Sequence, residues 1–219
     1  MELNEKAEEI YQRLMEHLGK PDWNWYPPVD ELINTIISQN TNDRNRDIAF
    51  DRLKAKYPTW DEVADAPTEE IIECIRYAGL ANQKAPRIQA VLKAIREKTP
   101  DYDLSFLKEW DPKEIRAWLT SFNGVGLKTA SIVMVFSLGI PAFPVDTHIH
   151  RISGRLGLRP EKMNADQTHD RMAELFRPET YGDAHVNLIR FGRAYCDARK
   201  PKCGECFLKD LCIYDGKGK

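Results

Sequence analysis

What this chain lacks narrows its possibilities first. Across 219 residues there is no run near the roughly 18–20 consecutive apolar residues of a membrane span. No stretch keeps a two-residue apolar alternation, and no Asn-Gly turn joins β-branched segments, so an all-β fold is excluded. Charge of either sign is not in excess, with 32 Lys and Arg against 34 Asp and Glu. That balance does not advertise a polyanion-binding surface and does not forbid a local one. The N-terminal MELNEKAEEIYQRL is acidic and amphipathic rather than apolar, so it lacks the core of a secretion signal. These absences predict a soluble cytoplasmic protein without a membrane anchor, in which disulfides are disfavoured.

What is present is a helical pattern almost everywhere. Leu32, Ile33, Ile36 and Ile37 form one apolar stripe, Ile88, Val91, Leu92 and Ile95 a second, and Ile115, Trp118, Leu119 and Phe122 a third. Prolines and glycines fall between the stripes. Thr68 and Asp111 each stand where a helix N-cap is expected, the latter followed by Pro112 at the first helical position. The fold class is therefore all-α, with about ten short helices expected. Five Trp and eight Phe give such a chain ample apolar mass for a core.

Three local patterns carry chemistry. Four of the five cysteines, Cys196, Cys203, Cys206 and Cys212, lie within the last 24 residues. Four soft thiolates in one short loop suit a metal centre. Zinc sites generally show two C-x-x-C knuckles and this run has one, so a [4Fe–4S] cluster is favoured over zinc. Residues 190–219 carry eight Lys and Arg against four Asp and Glu, so this segment is the basic part of the chain. Cys74, among Ile71, Ile72 and Ile75, reads as a small buried hydrophobe.

The second pattern, KEIRAWLTSF-NGVG-LKTASIVMVFSL, is a helix, a tight turn and a helix. Gly124 and Gly126 permit positive φ and close backbone approach, and the amides that open the second helix favour an anion. Lys128 stands one turn inside, among the small residues Thr129, Ala130 and Ser131, either as a phosphate-seeking or nucleophilic amine or as a surface lysine that snorkels to water. The third pattern is FPVDTHIHR, where Asp146 at a helix start is either a cap or a carboxylate available for acid–base or charge-stabilising work. His148 and His150 lack the partner set of a metal site.

Taken together, Ser38-Gln39-Asn40-Thr41, Ala78-Gly79-Leu80, Gly124 to Ala130, Val145-Asp146-Thr147-His148 and the 6-2-5 cysteine spacing resemble the endonuclease III family of helix-hairpin-helix DNA glycosylases, from about Val29 to Tyr214. The resemblance implies two helical lobes with a DNA cleft between them: a six-helix lobe over 23–131, and a second built from 1–22 plus 132–219, closed by an iron–sulfur loop at 196–212. It implies Lys128 as the amine that attacks C1′ of an extruded nucleotide and Asp146 as its assistant. Gln39 would fill the space left by the base, Leu80 would wedge the duplex, and Gly124 and Gly126 would hold phosphates through main-chain amides. The four cysteines would bind a [4Fe–4S] cluster. The partner would be double-stranded DNA with a damaged base or abasic site, met by a monomer. Excision of oxidised pyrimidines followed by β-elimination is the leading expectation. The alternatives are a uracil or thymine mismatch glycosylase and a non-catalytic DNA-binding scaffold. Asn123 replaces the family's usual proline and Asn42 its frequent aspartate, which bears on substrate preference.

Overall fold

The computed structural model describes residues 1–218, so Lys219 of the basic tail lies outside the described residues. These residues form eleven α-helices joined by short 3₁₀ turns, and no strand occurs among them. They divide into two compact units, Trp25–Ile140 and a discontinuous one made of Met1–Asn24 and Pro141–Lys219.

The continuous unit holds α2 (Pro28–Ser38), α3 (Asp43–Lys56), α4 (Trp60–Asp65), α5 (Thr68–Ile75), α6 (Ala81–Lys98), α7 (Pro112–Thr120) and α8 (Leu127–Ile132). It has one helix more than expected, because the Ala66-Pro67 step sets the short α4 apart from α5. Its outer boundary lies beyond Ser131, since α8 runs on without a break into wider π-helical turns over Val133–Leu138. The indole of Trp25 donates to the Ser137 carbonyl at 3.1 Å. The expected stripes are the core: Leu32, Ile33, Ile36, Ile37, Ile88, Leu92, Ile95, Ile115 and Leu119 are fully buried. Trp118 and Phe122 are half-buried instead, and Trp118 packs edge-on against Phe122, Phe106 and Trp110.

Capping follows the sequence at Asp111, whose side chain accepts from the Lys113 amide while Glu114 completes the capping box. It departs at Thr68, which is the first helical residue rather than the cap; its hydroxyl donates to Gln89 at 2.7 Å, a tertiary partner that outweighs the local one.

The discontinuous unit holds α1 (Leu3–Leu18), α9 (Thr147–Arg155), α10 (Ala165–Leu175) and α11 (Tyr181–Ala194), followed by the cysteine loop. Helix α1 packs on α11 and contributes Ala7, Ile10 and Leu14 to the core. His169 and His185 donate through Nδ1 to the Phe143 and Pro144 carbonyls, which fixes the extended segment leading to Asp146.

Candidate functional site

In the continuous unit, α2 presents Glu31 and Thr35 one turn apart on one face, and Gln39 follows as its C-cap. Gln39 Nε2 donates to the Gly124 carbonyl at 2.9 Å, so this end of α2 meets the turn between α7 and α8. Thr35 is buried and its hydroxyl donates to Glu31 Oε1 at 3.2 Å. Burial pushes the Glu31 carboxyl upward; the Thr35 hydrogen bond and the charges of Lys128 and Arg46 pull it back only in part. Glu31 is thus an ionisable neighbour of Lys128, which the sequence reading missed; its spacing of four residues from Thr35 and eight from Gln39 was the available signal. Lys128 is half-buried at the start of α8, above the buried Thr129, Ala130 and Ser131.

The two hairpin glycines differ. Gly124 has φ +86, and a Cβ there would sit 2.8 Å from Arg87 Cδ. Gly126 caps α8 with φ −93, so it does not use the positive φ that glycine permits. A Cβ there would meet nothing within 4 Å, which leaves its exposed amide open to approach. Asn42 caps α3, accepting from the Asn45 amide at 2.9 Å, a task for which asparagine is as good as aspartate.

Leu80 lies 47% exposed on the turn before α6. Its φ of +52 is left-handed, a conformation that costs a branched residue about 1 kcal/mol or more. An exposed leucine held on strained backbone is not placed there for core packing.

In the other unit, Asp146 is the N-cap of α9, its carboxylate accepting from the Ile149 amide at 2.8 Å. The opposite end of α9 is tied to the cysteine loop. Arg151 donates to the Cys196 carbonyl at 2.9 Å and to His148 Nδ1 at 3.0 Å. Arg155 donates to Cys196 Sγ at 3.3 Å and to the Asp197 carbonyl at 2.7 Å. His150 Nδ1 pairs with the Thr168 hydroxyl at 3.0 Å, so each of the two histidines has a structural partner.

All four tail cysteines line one cavity with Arg155, Phe191, Tyr195 and Tyr214. Burial raises the Cys206 thiol, and the other three sulfurs add to the effect, so the four are electrostatic neighbours. Four thiolates converging on one cavity suit a polynuclear iron–sulfur centre.

Residues 33–178 match the profile of the HhH-GPD superfamily of base excision DNA repair proteins, and residues 196–212 match the iron–sulfur binding domain of endonuclease III. The chain belongs to the HhH-GPD superfamily. Among relatives within it, endonuclease III of Thermotoga maritima is 34% identical over 99% of this chain and 95% of its own length. Endonuclease III of Escherichia coli K12 is 32% identical over 97% of each. A trapped endonuclease III–DNA covalent intermediate superposes with a TM-score of 0.83 at 27% identity, covering 97% of both chains. This HhH-GPD protein carries a [4Fe–4S] cluster in its cysteine loop. When bound, the cluster would cross-link the cysteine thiolates and add folding free energy to a segment in which Leu208 is fully buried and Leu211 mostly so. Among the described residues, no helix is long and apolar enough to cross a membrane.

Proposed function

We propose that the chain is a DNA glycosylase with AP lyase activity that removes oxidised pyrimidines from duplex DNA. The observation that carries this reading is Lys128 itself: a half-buried amine at the start of the hairpin's second helix, among small buried residues, in a superfamily member that matches endonuclease III over nearly its whole length.

The chemistry follows from what a glycosidic bond requires. It is inaccessible inside the base stack, so the nucleotide is extruded at a cost of a few kcal/mol, least at damaged pairs. Departure of the base leaves positive charge on the sugar, and the Asp146 carboxylate is assigned its stabilisation. The neutral Lys128 amine bonds to C1′ of that cation and loses a proton; the C1′–O4′ bond then breaks, O4′ taking a proton, and the ring-opened sugar is left as a Schiff base. Loss of a C2′ proton then expels the 3′ phosphate by β-elimination, and water releases the sugar from the lysine. Gln39 is assigned the space vacated by the base and Leu80 the wedge that holds the step open. The Gly124 and Gly126 amides are assigned to phosphates, contacts that position without reading sequence.

Asp146 serves as a helix cap in the free protein, and one carboxylate has room for both tasks, since Oδ1 accepts the Ile149 amide and a second oxygen remains. The test is a turnover panel of thymine glycol, dihydrouracil, uracil and G·T duplexes, with borohydride added to capture the imine. The expected result is preference for the oxidised bases and a covalent adduct. Preference for uracil or G·T would move the chain to the mismatch class, and absence of both turnover and adduct would make it a binding scaffold.

A further inference from the structure

Lys84 is the one Lys, Arg, Asp or Glu that is fully buried among the described residues, at 1% exposure. It lies on the apolar stripe of α6, in register with Ile88, Leu92 and Ile95. No carboxylate neutralises it. Its Nζ donates instead to two main-chain carbonyls, Ile37 at 2.7 Å and Ala78 at 2.9 Å. Burial holds its pKa down at about 8.

The identity of those two acceptors is the point. Ile37 is in the last turn of α2, two residues before Gln39, and Ala78 is two residues before Leu80. Both following loops contain a left-handed residue other than glycine: Asn40 with φ +54 and Leu80 with φ +52. The backbone amide of Lys84 also donates to the Leu80 carbonyl at 3.0 Å, so Lys84 grips the Leu80 turn from its main chain as well as its side chain. Strained conformations persist only where their surroundings over-determine them. Here one amine reaches both. A lysine removed from water for an ordinary packing role would be a poor choice, since an apolar residue of similar length fills the same space without desolvation.

We propose that Lys84 is a positioning residue that locks the Gln39 and Leu80 loops into one fixed spacing, so that the side chains that fill and wedge the duplex enter it as a pair. This rests on the assignment of Gln39 and Leu80 to DNA made above. In the free protein the lock is already formed, so the two loops meet DNA without a further ordering cost.

A double-mutant cycle on the full chain tests it, with affinity for a duplex holding a tetrahydrofuran abasic analogue as readout. In the native background Gln39→Ala and Leu80→Ala are each expected to weaken binding by about tenfold. Lys84→Met is expected to weaken it by a similar factor of about 10, and in that background each further substitution is expected to cost less than about twofold. The loss on Lys84→Met is expected to be larger for the abasic duplex than for undamaged duplex. If Lys84→Met fails to fold, as judged by near-ultraviolet circular dichroism, Lys84→Gln takes its place, because its amide still reaches one carbonyl. Additive losses in the cycle would overturn the lock and reduce Lys84 to a packing residue, as would failure of both variants to fold. Native-background losses absent at both Gln39 and Leu80 would instead overturn the DNA assignment on which it rests.

Discussion

The two units are held together by different means. Trp25–Ile140 is built on three apolar stripes, and its one fully buried charged side chain among the described residues bonds to two main-chain carbonyls. The discontinuous unit has a core along α1 and α11, but its C-terminal loop is fastened chiefly by arginines. Arg13 grips the Asp210 carboxylate at 2.6 and 3.0 Å and the Phe207 carbonyl at 3.1 Å, while Arg151 and Arg155 hold the backbone around Cys196. Phe207 is sandwiched among His17, Phe191 and Tyr195. Apolar burial needs no cofactor, whereas a loop of carbonyls, guanidinium groups and thiolates does. The assigned nucleophile therefore stands on a self-sufficient scaffold, and the assigned carboxylate stands on a helix whose far end depends on the sulfur loop.

The contrast is broken most severely from the chemical side. Lys128→Ala is expected to abolish borohydride trapping on abasic duplex, a loss of at least about 10³-fold, with melting temperature and iron content unchanged. Trapping that persists would remove the amine from its assigned role. Next in size, Cys203→Ser is expected to strip iron and to loosen only the discontinuous unit. Hydrogen exchange should accelerate across α9 and residues 196–212 while α2, α6 and α8 stay protected, and uniform loosening would erase the distinction between the units. Asp146→Asn keeps a good cap, so folding should be preserved while single-turnover base excision slows about 10²-fold; a near-native rate would leave Asp146 a cap and nothing more.

The smallest effect concerns Glu31. Its folded-state pKa is raised, so the neutral form is favoured in the native protein, and that contribution is present at low pH and fades as pH rises through the folded value. Glu31→Gln should therefore raise the melting temperature at pH 7 by a few degrees at most, with the gain shrinking towards pH 4. A gain that grows on acidification would reverse the sign of this argument.

The elements themselves were legible because their signals are local. The stripes on α2, α6 and α7 follow helical periodicity, and Asp111-Pro112 announces a helix start within two residues. What escaped is non-local. Thr68 prefers Gln89 over capping its own helix, and nothing near Thr68 encodes that. Gly126 adopts φ −93 because the turn needs a left-handed residue only at Gly124. Lys84 keeps the register of the buried stripe, yet a lysine on an apolar face ordinarily sends its amine out to water. Its inward course is set by carbonyls 47 and 6 positions away in the chain, which periodicity does not report.

The Trp25 indole on the Ser137 carbonyl has a consequence for how the chain is made. It closes the inserted segment near both of its ends, so during translation that segment can finish folding before α9, α10 and α11 leave the ribosome. Helix α1 emerges before that segment, yet its partner α11 is made only after it. Until α11 is made, helix α1 lacks the partner that buries Ile10 and Leu14.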